Sequence, residues 1–419
     1  MQRQNFEIMA PAGSYESLTA AIQGGANSVY FGIDRLNMRS RSSNNFTTED
    51  LRNIVAICNK HRIKSYLTLN VIIYDEDMPL MREIIDTAKD ASVSAIIASD
   101  VAAMTYANSV GVEVHLSTQL NITNIEALKF YAQFADVVVL ARELNLEQVK
   151  YIYQQIIEND ICGPRGEQIR IEMFAHGALC MAVSGKCYLS LHEMNASANR
   201  GACMQICRHG YTITDNERDV ELNIENQYIM SPKDLKTIHF LNKMIDAGVR
   251  VFKIEGRARS AEYVRTTCEC YNEAINACLK NTFTEEKIEN WNARLAKVFN
   301  RGFWNGYYLG QRLGEWSANY GSNATHKKVY IGKGMKYFAN IGVAEFLIET
   351  QSVKIGDNIL IMGPTTGVIE TTITEMQVDY KPAQEAIRGQ LFSIPLKEKI
   401  RPSDKVYKWV LASEINDNQ

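Results

Sequence analysis

Along the first 280 residues, short apolar runs rich in Val, Ile and Tyr alternate with stretches whose apolar residues recur at helical spacing. The runs occupy residues 6–10, 28–32, 64–70, 95–99, 113–117, 137–141, 169–174 and 251–255, and each predicts a strand. The helical stretches are 15–23, 48–61, 79–91, 101–110, 125–133, 146–159, 233–247 and 261–280. Cap residues agree: Ser14 and Thr47 stand before helices, and Gly24, Gly111 and Gly248 follow them. Eight strands, each followed by a helix, is the count of an α/β TIM-like (β/α)8 barrel, and a doubly wound sheet rarely reaches it.

Past residue 280 the period changes. A charged helical stretch, 285–298, leads into the aromatic and arginine-rich run 299–310, which suits either a tail packed on the barrel or a surface that stacks bases. A Ser/Asn/Gly-rich linker follows at 316–325. Short β-like runs then occupy 328–331, 341–346, 358–361, 368–374, 390–393 and 405–408. The expected organisation is a barrel domain over residues 1–315 and a small β-barrel over 327–412, similar to the second domain of translation factors.

In such a barrel, chemistry sits on the loops after the carboxyl ends of the strands. Those loops are polar here: Asp34, Arg35, Asn37, Arg39 and Arg41 follow the second strand, and Asn70 ends the third. Ser117, Thr118, Gln119 and Asn121 follow the fifth, Arg142 and Glu143 the sixth, and Glu255, Arg257 and Arg259 the eighth. The loop after the seventh strand runs about sixty residues, a length that usually signals function. Within it, 211–214 and 220–228 alternate like a hairpin.

Composition narrows the class. Hydrophobic content is 46% and charged content 22%, as in ordinary globular domains. No apolar run approaches about 18 residues, and the chain enters a strand almost at once, so neither a membrane span nor a signal peptide is expected and a cytoplasmic location is. A formal net charge of −3 provides no global field for nucleic acid, so RNA binding has to rest on local patches. Nine cysteines without a secretion signal suit reduced thiols and a metal site better than disulfides.

Four of the nine fall in the seventh-strand loop as C-x6-C-x15-C-x3-C: Cys180, Cys187, Cys203 and Cys207. Gly177, Gly185 and Gly201 nearby let backbone fold tightly around a bound group. Four thiolates are the usual ligands of an iron–sulfur cluster. Zinc is the rival, although its structural sites favour close pairs and here Cys203/Cys207 alone provides one; unligated thiols are the remaining alternative. Cys58, Cys162, Cys268, Cys270 and Cys278 read as small packing residues.

The segment 172–208 also carries a resemblance. Glu172, Phe174, Gly177, Ala178, Leu179, Cys180, Gly185, Cys187, Leu189 and Ser190 match the signature of the U-32 peptidase family, the collagenase-like proteins, with no departure. The resemblance is closest to a branch of tRNA hydroxylation proteins. It implies a [4Fe–4S] cluster on the four cysteines, tRNA as substrate, and 5-hydroxylation of the wobble uridine with prephenate, a small anionic co-substrate, as hydroxyl donor. It also implies the Fe–S assembly machinery as a partner. Under it, Arg39, Arg41, Arg142, Arg257 and Arg259 would hold the anion through their guanidinium forks, with Arg257 the prime candidate because it directly follows a strand. Glu172 is either a neighbour of the cluster or one half of a salt bridge inside the barrel.

The same family also implies a collagenase-like peptidase, with a thiol or a metal-activated water as nucleophile. His176, four residues before Cys180, could then activate that thiol, but this leaves three cysteines unexplained. His192-Glu193 lacks the second histidine of a metalloprotease helix, Ala196 standing in that place, and no Gly-x-Ser-x-Gly elbow is present. A non-catalytic RNA-binding or scaffold role is the third alternative.

Overall fold

The computed structural model describes residues 2–41, 45–211, 214–215, 220–221, 230–318 and 321–414. Parallel strands β1 (Glu7–Pro11), β2 (Ser28–Phe31), β3 (Lys64–Leu69), β4 (Ala95–Ala98), β5 (Val114–Leu116), β6 (Val137–Val139), β7 (Arg170–Gly177) and β8 (Val249–Ile254) pair in sequence order. β8 pairs with both β1 and β7, so the sheet closes into the expected TIM-like barrel. Met9, Tyr30, Tyr66, Ala95, Ile97, Val137 and Val251 fill its interior as one cluster, as the inward register of each strand requires.

The outer helices start where their caps put them. Ser14, Thr47, Asp100, Asn124 and Asn145 each accept a backbone N–H in the first turn of the helices Tyr15–Gln23, Thr48–His61, Val101–Ser109, Ile125–Ala132 and Leu146–Glu158. Buried positions at spacings of three and four, such as Leu51, Ile54, Val55 and Cys58, then face the sheet.

One region differs from the pattern of periods. The helix expected over 233–247 is confined to Leu241–Asp246, and its front half is a strand, Asp234–Lys236, antiparallel to the end of β7. The reason lies in β7, whose last residues extend past the barrel rim and need a ladder partner: Leu235 pairs Gly177, Lys236 pairs His176, and the Thr237 hydroxyl donates to the Ala175 carbonyl at 3.0 Å. In the expected hairpin, Thr214–Asp215 pairs antiparallel with Val220–Glu221, while residues 212–213 and 222–228 lie outside the described residues.

The aromatic run 299–310 packs on the barrel. Phe303–Trp304 pairs with the strand Asp234–Lys236, and the buried Tyr308 hydroxyl donates to the Phe174 carbonyl at 3.0 Å. Beyond the linker, an antiparallel sheet of eight strands runs from Gly367–Thr372 at one edge to Lys381–Pro382 at the other. Residues from Ile369 to Val378, at opposite ends of the ladder, share one core with Ile331, Phe346, Phe392 and Val406. This unit is docked on the barrel: Thr19 donates to the Pro364 carbonyl at 2.6 Å, Gln23 to that of Thr366 at 2.9 Å and Arg265 to that of Val368 at 2.6 Å. Leu360, Met362, Val368 and Trp409 belong to the barrel's outer core.

Candidate functional site

The carboxyl ends of the strands surround a cavity of about 180 Å³, over ten times the space one water needs. Cys180, Cys187, Cys203 and Cys207 all line it, together with Arg39, Arg142, Arg208, Lys253 and Arg257. Glu255 is the carboxylate among the lining residues.

The cysteine segment crosses the mouth because polar groups on the other loops hold it. Asn121 Nδ2 donates to the Ser184 carbonyl at 3.0 Å, Arg41 N to that of Gly201 at 3.2 Å and Ile72 N to that of Asn199 at 3.2 Å. Gly201 has φ +83°, and a Cβ there would collide with the Asn37 carbonyl and the Ser40 hydroxyl, so this crossing demands glycine. Cys180 is exposed and the other three thiols are half-buried.

Burial pushes the Cys207 thiol up to about 11; Arg208 opposes this, and Cys180, Cys203 and Cys187 add to it, so Cys207 lies within electrostatic reach of the other three sulfurs. Among the described residues, no three His, Cys, Asp or Glu side chains gather closely enough to chelate a single ion. A zinc ion needs all four sulfurs at about 2.3 Å from one centre, whereas an iron–sulfur cluster takes each thiolate on a separate corner. Four thiols lining one cavity are a donor set that such a cluster takes.

Behind the thiols lies a charged wall. Arg39 pairs with Glu255 at 2.9 Å, and Tyr30 Oη stands 3.1 Å from the other Glu255 oxygen. Burial alone would raise the Glu255 carboxyl, yet Arg39 and then Arg142 and Arg257 outweigh it and hold the group down at about 2. Arg257 Nη1 donates to Asn37 Oδ1 and Thr68 Oγ1, each at 3.0 Å, and burial lowers this guanidinium to about 10, which leaves it charged. Its place is tightly prescribed: a Cβ at Gly13 would collide with the Arg257 carbonyl, and one at Gly32 with its guanidinium. Arg142 stacks on Phe174 at 4.0 Å, and its buried Nε has no partner.

Of the ligand candidates named from sequence, the structure brings seven to the cavity, the four cysteines, Arg39, Arg142 and Arg257, beside the strand-end residues Asn70, Ser117, Thr118, Gln119 and Glu255. Glu172 is fully buried beneath them and pairs with Lys253 at 2.7 Å, the intrabarrel salt bridge with Lys253 as its partner; its Oε2 has no hydrogen bond. Arg41 is exposed and does not line the cavity. Arg259 lies in a separate cleft between the barrel and the C-terminal unit, stacked on Phe299 at 3.5 Å and 3.9 Å from Asp234.

His176 is also outside. It is packed among Tyr263, Tyr271 and Phe303, and burial first, then Lys236 and Arg259, drives it down to about 3. Its side-chain hydrogen-bond partner is Tyr271, at 3.4 Å, and among the described residues none joins it to a thiol. Lys253 and Arg208 were missed by the sequence reading. Lys253 had a visible signal, a charge on the inward register Val251–Lys253–Glu255 of a buried strand; Arg208 had none beyond its adjacency to Cys207.

Comparison with known proteins places the chain among relatives of two kinds. A protein of Porphyromonas gingivalis named collagenase is 66% identical, the match covering 98% of this chain and 99% of that one. The tRNA hydroxylation protein P1 of Bacillus subtilis is 32% identical over 96% of this chain and 94% of its own. A 23S rRNA 5-hydroxycytidine synthase of Escherichia coli is 34% identical over 65% of this chain and 40% of its own. Residues 13–318 match peptidase family U32, and the chain belongs to that family.

Proposed function

We propose that this protein is an RNA-modifying enzyme that hydroxylates a pyrimidine of tRNA, the wobble uridine at C5, with prephenate as hydroxyl donor and a [4Fe–4S] cluster on Cys180, Cys187, Cys203 and Cys207. The observation that carries it is the cavity lined by all four thiols together with five cations, of which Lys253 and Arg257 are buried. Two RNA-hydroxylating relatives at 32% and 34% identity support the reaction class.

The chain's own residues divide the work. The four thiolates would hold the cluster, which when bound supplies one-electron chemistry. Arg257, held by Asn37 and Thr68, presents a fixed guanidinium to a carboxylate of the donor. Arg142 has an unused N–H for the same anion, and Arg39 is braced by Glu255. Lys253, neutralised by Glu172, closes the floor. The pyrimidine has to leave its stack to enter such a recess, as bases do in other enzymes that act on them. No helix among the described residues is long and apolar enough to cross a membrane; the enzyme proposed would work in the cytoplasm and receive its cluster from the Fe–S assembly machinery.

A peptidase is the second reading, favoured by the name of the 66% identical relative. The placement of His176 speaks against a thiol–imidazole nucleophile. The deciding experiment incubates anaerobically purified protein with unmodified tRNA and prephenate, then reads 5-hydroxyuridine by mass spectrometry, with gelatin cleavage measured in parallel. Hydroxyuridine that requires prephenate supports the enzyme proposed; gelatin cleavage without it overturns the proposal.

A further inference from the structure

Arg208 takes no part in the scheme above, yet three hydrogen bonds hold its side chain beside the thiols. Its Nη2 donates to the Leu179 carbonyl at 2.7 Å, and its Nη1 lies 2.6 Å from the Pro232 carbonyl and 2.9 Å from the Ser231 hydroxyl. Leu179 directly precedes Cys180, and Arg208 directly follows Cys207. One guanidinium therefore joins the backbone before the first thiol to the backbone after the fourth, across 29 residues of chain.

The anchor to which it ties them is itself fixed. Ser317 N donates to the Ser231 carbonyl at 2.7 Å, and Lys233 N to that of Glu315 at 3.0 Å. Asp234 is buried between Arg301 at 3.4 Å and Arg259 at 3.9 Å. The packed tail of the barrel thus holds residues 231–234, and those hold Arg208. A planar fork can serve three acceptors in different directions at once; an ammonium keeps the charge and loses that reach. Arg208 also lines the cavity with the thiols, so its charge lies beside the group they would bind.

We propose that Arg208 is the positioning residue of the four-thiol site, fixing Cys180 relative to Cys207 and, as a half-buried cation beside them, favouring the extra negative charge of a reduced cluster. This rests on the cluster reading given above. Outer groups that orient metal ligands typically change metal retention about 10- to 100-fold when removed.

The test compares the full-length protein with Arg208→Gln and Arg208→Lys, all purified without oxygen. Iron per chain is measured, and the midpoint potential is read by dithionite titration of the visible absorbance. Arg208→Gln is expected to retain about tenfold less iron on challenge with a chelator, and its remaining cluster to show a lower potential. Arg208→Lys is expected to lose iron as well but to keep a potential near that of the unaltered protein. Equal iron retention and equal potential in a folded Arg208→Gln overturn the proposal; if that variant does not fold, the iron retention of Arg208→Lys decides. If the unaltered protein binds no iron, the cluster reading itself fails, and iodoacetamide labelling then judges the positioning role. Faster labelling of Cys207 in either variant supports that role, and unchanged rates remove it.

Discussion

At the amino-terminal end of the barrel, Glu7 accepts from Ser28 and Tyr66 at 2.7 Å and from Arg170 at 3.1 Å, with Lys64 at 3.7 Å. At the carboxyl end, Glu255 is matched as fully by Arg39 and Tyr30. Both carboxyls are held at about 2 against the push of burial, so a depressed value does not by itself tell chemistry from scaffolding. The difference lies in what surrounds them. Glu7 is the centre of its own network, whereas Glu255 faces a cavity where Arg142, Arg208, Lys253 and Arg257 also stand and where Arg142 Nε is left without a partner. A matched network has no place for a ligand, whereas a cavity lined by five cations and one carboxylate suits an anion.

Removing thiols should separate the two ends most sharply. Cys→Ala at any of the four positions is expected to abolish tRNA hydroxylation and most of the iron while leaving the melting temperature of the iron-free protein nearly unchanged. Iron at full stoichiometry in two or more such variants would refute the quartet. Arg257→Ala comes next: truncating one member of a buried charged contact costs about 2–5 kcal/mol, so hydroxylation should fall roughly 30- to 4000-fold with iron retained. Arg257→Lys should be nearly as poor, because it loses the fork.

At the other end, Glu7→Ala leaves Arg170 and Tyr66 without their acceptor and should destabilise the fold by about 3 kcal/mol in urea unfolding, with iron per folded chain unchanged. Loss of iron there, at full stability, would mean that the two ends are not separable. The smallest expected effect is in the pH profile. Glu7 and Glu255 titrate near 2 when folded against an ordinary 4.5, so their stabilisation is present above about 4.5 and is lost as pH falls toward 2. His176, near 3 when folded against 6.5, is kept neutral, so protonation favours the unfolded chain as pH drops from 6.5 toward 3. Thermal melts should therefore decline from about pH 6 downward, first through His176; a His176→Gln variant with the same decline between pH 6 and 4.5 would remove that assignment.

The barrel was legible because its strands are buried on both faces and its helices on one, so period and cap residues coincide over nearly every unit. The failure at 233–247 has a local cause: strand Asp234–Lys236 is dictated by the overhang of β7, a tertiary demand with no trace in the periodicity of the segment itself. The candidate site was legible where chemistry is written in residue type, as in the cysteines and Arg257. It was not legible for His176, because adjacency in sequence to Cys180 says nothing about which side of an extended strand end each faces. Arg41 and Arg259 show the same limit: six arginines follow strand ends, and packing decides that Arg39, Arg142 and Arg257 line the cavity.

The docking of the C-terminal sheet has a practical corollary. The family match ends at residue 318, yet the hydrophobic core does not, since Leu360, Met362, Val368 and Trp409 are part of the barrel's own cluster. A chain cut at that boundary would uncover this apolar surface on the helices Tyr15–Gln23 and Ala261–Leu279 and strand the side chains of Gln23 and Arg265. Such a fragment should be prone to aggregate, and an assay that found it inactive would be reporting on solubility.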